Sequence, residues 1–161
     1  MKPRISIFGT LHDYQRDIYR PKYFETLSHL IAYHAVELVA EEASGPPTTY
    51  AEQLIKNASE ADSNFKVKWK NVDLTGDERK KAPDINRANI GTIIDFDLHT
   101  LREWVWVVRT AKEMKKSNLL ICGMAHMFSV ADKFQWAGFD LAEVHHYMDG
   151  NDYVWNRDAG Q

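Results

Sequence analysis

The run Asn118-Leu119-Leu120-Ile121-Cys122 constrains the fold more than any other segment of this chain. It is nearly all apolar, as a strand is when both faces of its sheet are covered. Strands of that kind sit in parallel sheets, and parallel strands need long crossovers, usually helices. The rest of the chain alternates accordingly. Periodicity puts a first strand at Ile5 to Phe8 and a helix from Pro21 to Ala35, with Phe24, Leu27, Ile31 and Ala35 at helical spacing. A second strand covers Val36 to Ala40. Gly45-Pro46-Pro47 is a loop. Thr49 and Glu52 have capping-box spacing for a helix running to Ala61.

Phe65-Lys66-Val67-Lys68-Trp69-Lys70 alternates strictly, apolar on one side and lysine on the other. Lysines discourage pairing with another chain, so this strand, continuing to Leu74, is placed at a sheet edge. Gly76 to Lys81 reads as a charged loop. Asp84 to Ile94 stays open between helix and loop. Asp97 to Lys116 is the strongest helix, with Leu101, Trp104, Val105, Val108 and Ala111 as its apolar face. Trp106 and Val107 widen that surface, so the Trp104–Val108 stretch is either deeply buried or a contact between copies of the chain in a homo-oligomer. A helix from Met127 to Ala137, ended by Gly138, leads to a last strand, Asp140 to Tyr147. The tail from Gly150 to Gln161 shows no period. The expected fold is α/β, a mostly parallel sheet with helices on both faces in three layers, with 1–161 as a single domain.

Composition excludes several classes. A net charge of −3 argues against general nucleic-acid binding. No apolar run nears the ~20 residues of a membrane span. The short apolar start at Ile5 to Phe8 is not a secretory core, and the lone Cys122 fits a buried thiol in a reducing compartment; a cytoplasmic location is expected.

In parallel sheets ligands bind beyond the carboxyl ends of the strands. Each of the first four strands here ends in chemically loaded residues. Gly9-Thr10-Leu11-His12 comes after the first, Glu41-Glu42 after the second, Asp73 and Arg79 after the third, and Gly123-Met124-Ala125-His126 after the fourth. Gly-x-x-His thus occurs twice, each time after an apolar strand. Glycine is expected there to let the backbone turn sharply. By strand parity, Glu42 shares a face with Leu38 and Ala40, and Glu41 with Glu37 and Val39. His145 and His146 lie on opposite faces of the last strand and read as structural. His29 and His34 read as surface or helix-end residues. Ser129 and Cys122 have no base placed beside them.

Two Gly-x-x-His motifs flanking a glutamate pair, with an arginine, resemble the Tiki superfamily, which gathers Tiki-type metalloproteases, TraB proteins, erythromycin esterases and haem-binding ChaN-like proteins. The resemblance runs over about residues 5 to 126 and rests on Gly9, His12, Glu41, Glu42, Gly123 and His126. It implies a small hydrolase, built on an α/β sheet, acting on a peptide, ester or related bond. Arg79, with Arg87 as rival, is the arginine that would stabilise an oxyanion. The leading expectation is metal-assisted: His12, His126 and one glutamate, taken as Glu42, hold manganese, zinc or cobalt, and the other glutamate takes the proton from bound water. In a metal-free version His12 or a glutamate is the base, the glutamate's pKa raised by its neighbour. The alternatives are a binding module for haem or another flat ligand, with Tyr14, Phe128 or Trp136 lining the crevice, and a partner-binding protein with a degenerate site.

Overall fold

A computed structural model describes residues 2–16, 20–43, 45, 48–81 and 98–155. Six strands form one sheet in the order β3-β2-β4-β1-β5-β6. β1 (Arg4–Thr10), β2 (Leu38–Glu41), β3 (Lys68–Asn71), β4 (Ser117–Gly123) and β5 (Asp140–Met148) run parallel; β6 (Asn151–Trp155) is antiparallel to β5. Between them lie α1 (Pro21–Tyr33), α2 (Tyr50–Ala61), α3 (Gly76–Lys81), α4 (Leu98–Glu113) and α5 (Met127–Trp136). The chain is an α/β fold with a mostly parallel sheet.

Two cores show the layers. On one face Ile5, Ile7, Ala40, Leu120, Cys122 and Val144 pack against Trp106 and Val107 of α4 and Val130, Ala131 and Phe134 of α5. On the other, Phe8, Val39, Leu119, Ile121 and Tyr147 meet Leu27 and Ile31 of α1 and Ala51 and Ile55 of α2. This is the division right-handed crossovers require for that strand order. α2 carries the chain outward from β2 to β3, whereas α5 carries it from β4 the other way to β5. The connections therefore part between β2 and β4, the point at the carboxyl edge where sheets of this kind place their ligand crevice. Among the described residues no helix is long and apolar enough to cross a membrane.

Several local expectations meet corrections. Gly76 to Lys81 is helical, because Thr75 and Glu78 form a capping box: Thr75 Oγ1 accepts from the Glu78 N–H at 3.2 Å and Glu78 Oε2 from the Thr75 N–H at 2.7 Å. The tail contains β6, which returns through Asp149-Gly150. Both residues have positive φ (52° and 81°), as a two-residue hairpin turn demands. The largest change is the face of α4. Its buried residues are Arg102, Glu103, Trp106, Val107 and Thr110, while Val108 is 50% exposed. The helix turns inward a face that carries two charges, so hydrophobic periodicity points to the wrong side. Of the Trp104–Val108 surface, Trp106 and Val107 are core; Trp104 rests edge-on against the exposed Trp136, rings 5.4 Å apart. Asp84 to Ile94 lies outside the described residues.

Candidate active site

β2 ends in two carboxylates that diverge, with the parity read from the sequence. Glu41 turns to the α1–α2 face and is fully buried. Its Oε2 accepts from Thr49 Oγ1 at 2.6 Å and Trp69 Nε1 at 2.7 Å, while Oε1 has no hydrogen-bond partner. Burial pushes this carboxyl up to about 7 against the lowering pull of the two bonds. The raised value thus comes from burial and not from the neighbouring Glu42. Thr49 is also the N-cap of α2, accepting from the Glu52 N–H. Glu41 therefore ties β2 to the start of α2 and to β3, behind the crevice.

Glu42 turns the other way. Its Oε1 accepts from Arg102 Nη2 and its Oε2 from the Gly123 N–H at 2.8 Å. His12, in a short 3-10 turn (His12–Gln15) after β1, brings Nε2 to 3.7 Å from Glu42 Oε1. Its Nδ1 lies 3.4 Å from Gln15 Oε1. The His12 side chain is 50% exposed and Glu42 is 2% exposed, so the imidazole is the open member of the pair.

The glycines of the two motifs serve this approach, though not through a sharp turn: among the described glycines positive φ occurs at Gly45, Gly138 and Gly150, and at neither Gly9 nor Gly123. What they supply is space. A Cβ on Gly123 would stand 2.7 Å from His12 Nε2; one on Gly9 would stand 2.7 Å from Met127 Sδ and 2.9 Å from Met127 Cβ. Each motif's glycine makes room for a side chain at or just beyond the end of the other motif.

Behind Glu42 lies a second buried carboxylate. Asp73, after β3, accepts from Arg102 Nε and Nη2, each at 3.1 Å, from Trp106 Nε1 at 3.0 Å and from Arg79. Burial alone would raise the Asp73 carboxyl; Arg102 and Trp106 outweigh it and hold it below the ordinary range. Arg102 bridges Glu42 and Asp73 and stacks over Trp106, 5.3 Å to the ring centre. The arginine that reaches the glutamate pair is therefore Arg102 of α4. Arg79 ends on Asp73, its side chain one-third exposed, and Arg87 lies outside the described residues.

His126 is the N-cap residue of α5 and is buried. Its Nδ1 is 2.7 Å from Glu103 Oε1, and its ring stands edge-on to Trp106 at 5.1 Å. Glu103 also accepts from Ser129 Oγ and Lys133 Nζ, both at 2.6 Å. Burial would raise its carboxyl, but His126, Lys133 and Ser129 prevail and hold it down to about 2. His12 and His126 therefore stand towards the two ends of one chain of contacts: polar from His12 through Glu42, Arg102 and Asp73 to Trp106, then an edge-on ring contact to His126, which meets Glu103.

The ligand atoms of His12, Glu42 and His126 are not gathered within 4.8 Å of one another. Among the described residues the group of His, Cys, Asp or Glu whose ligand atoms lie within 4.8 Å of one another is His34, Glu143 and His145, elsewhere in the fold. The aromatics suggested for a flat ligand are dispersed as well. Tyr14 is buried on the α1–α2 face with its hydroxyl on Asp149 (2.8 Å), whereas Phe128 and Trp136 project from α5. Arg102 and Glu103 are the residues that sequence reasoning missed. Their signal is their place at helical spacing with Trp106, Val107 and Thr110, a stripe that hydropathy discounts. Compared with family models, curated proteins and solved structures, the chain matches none.

Proposed function

We propose that this chain is a small hydrolase of peptide, ester or related bonds, resembling the Tiki superfamily in its site, with His12 as general base and Glu42 as its partner. The observation that supports this reading is the pairing of a half-exposed imidazole with a buried carboxylate, Nε2 3.7 Å from Oε1, at the crevice where the strand connections part. Water enters from the exposed side of the ring, and His12 takes its proton as the water's oxygen bonds to the carbonyl carbon. The imidazolium so formed faces Glu42, which stabilises it as a buried carboxylate does in a catalytic triad. His12 then returns that proton to the departing alcohol or amine as the scissile bond breaks. Arg102 and the Gly123 N–H hold Glu42 in place. Arg79, the more exposed of the two guanidiniums on Asp73, is assigned the developing oxyanion. No step is routed through a metal, because the ligand atoms of His12, Glu42 and His126 are not gathered within 4.8 Å of one another.

The test is a panel of activated esters, peptides and phosphoesters offered to the wild type and to His12→Gln. General-base catalysis contributes about 10²–10⁴-fold, and the variant should lose that much kcat with its fold retained. A wild type inert to the whole panel, or full activity in His12→Gln, would overturn the reading.

A further inference from the structure

We propose that His34, Glu143 and His145 form a second site, separate from the crevice, that binds a divalent first-row transition metal ion, with zinc the best fit.

Three elements assemble it. Glu143 and His145 are two residues apart on β5 and so share a face. His34 follows the last turn of α1, its carbonyl held by Ser117 Oγ at 2.7 Å, at the first residue of β4. The cluster thus lies on the α1 face, where α1 returns towards the amino edge of the sheet. Asp152 comes back on β6 through the Asp149-Gly150 turn.

The atoms converge on one point. His34 Nε2 is 3.2 Å and His145 Nε2 3.1 Å from the same oxygen, Glu143 Oε2. Ligands on one tetrahedral ion with bonds of about 2.0–2.1 Å stand roughly 3.3 Å apart, so these separations suit a shared ion. On its far side His145 Nδ1 lies 2.9 Å from Asp152 Oδ2. A ligating histidine characteristically gives its other N–H to a carboxylate. With that proton on Nδ1, Nε2 presents a lone pair to the lone pairs of Glu143. His34 Nε2, on a side chain only 7% exposed, is buried without an aligned hydrogen bond. Three acceptor atoms therefore face one another, and a cation between them resolves the arrangement.

The chemistry of the set narrows the ion. Two imidazole nitrogens and one carboxylate oxygen are borderline ligands, suited to zinc or cobalt over magnesium or calcium, and leave a fourth position for water. Glu143 is 22% exposed, so an ion has a path in.

The experiment uses the full chain, stripped with chelator and titrated with Zn²⁺ by calorimetry and thermal shift, with Co²⁺ as a visible-absorption probe. We expect one Zn²⁺ per chain, a raised Tm on loading and Co²⁺ absorption typical of nitrogen and oxygen ligands. Glu143→Gln and His34→Gln should each abolish stoichiometric binding, the first serving where the second disturbs the end of α1. Asp152→Asn should keep the stoichiometry and weaken affinity about 10–100-fold. His12→Gln should bind as the wild type does. The proposal is overturned if the folded wild type takes up no stoichiometric zinc, as a proton-held cluster of ion pairs would behave. It is also overturned if binding survives both ligand variants, or is lost in His12→Gln instead.

Discussion

Glu41 and Glu42 are neighbours in sequence and strangers in structure. Glu41 points into the α1–α2 core, where the neutral donors Thr49 and Trp69 meet it. Glu42 points to the α4–α5 side, where Arg102 and a backbone N–H receive it and an imidazole stands open beside it. One residue of register sends the two carboxylates to opposite faces of the sheet and to different donors. The Glu-Glu pair is therefore no structural unit, and each carboxylate takes its partners from the donors that its face of the sheet brings.

The comparison breaks hardest at Arg102. This guanidinium bridges Glu42 and Asp73, both nearly inaccessible to solvent. Removing one partner of a buried pair costs about 3–5 kcal/mol, so Arg102→Met should lower unfolding free energy by that order in a urea titration at neutral pH. A loss under about 1 kcal/mol, the scale of an exposed pair, would mean that Glu42 is not held as described.

The two faces should also differ in their response to pH. Glu41, with its carboxyl at about 7 when folded, favours the folded state below the ordinary carboxylate range, near 4.5, and that contribution is lost as pH rises through 7. Glu103, held down to about 2, does the reverse: its contribution is present above about 4.5 and is lost as pH falls towards 2. Glu41→Gln should thus raise stability at about pH 8.5 by roughly 1–3 kcal/mol and change it little at about pH 4. Glu103→Gln should destabilise at neutral pH, with the gap to wild type narrowing in acid. Thermal melts across this range read both, and parallel curves for the two variants would erase the distinction.

The two motif glycines sharpen the comparison at the smallest scale. At Gly9 an added Cβ meets Met127 Cβ, which cannot move without its helix, and Gly9→Ala should cost about 1–3 kcal/mol. At Gly123 it meets the far end of the His12 ring, which has solvent to move into. Gly123→Ala should therefore leave Tm within a few degrees and lower kcat/KM through a displaced base. Equal Tm losses in both would show that space for His12 is not what Gly123 supplies.

Much of this molecule is legible in its amino-acid order. Alternating apolar strands and helical periods specify the α/β architecture, the lysine stripe marks β3 as an edge, and strand parity separates Glu41 from Glu42. The features that escape have a common cause. Hydropathy treats charge as solvent-facing, so it turns α4 by its apolar residues and hides Arg102 and Glu103, which are buried because each meets opposite charge. Charged Gly76 to Lys81 looks like a loop although Thr75 and Glu78 cap a helix there, and the Asp149-Gly150 turn that announces β6 carries little weight in a short tail. Read singly, His145 looks structural and His34 a surface or helix-end residue; only the return of α1 beside β5 puts them on the same carboxylate.

The most direct test of the central claim sets Glu42→Gln beside Glu41→Gln on whichever substrate the wild type hydrolyses, at one pH and with folding checked in both. If Glu42 alone serves His12, kcat/KM falls at least about 10²-fold in the first and stays within a few-fold of wild type in the second. Equal losses in the two variants, or a loss confined to Glu41→Gln, would contradict the account.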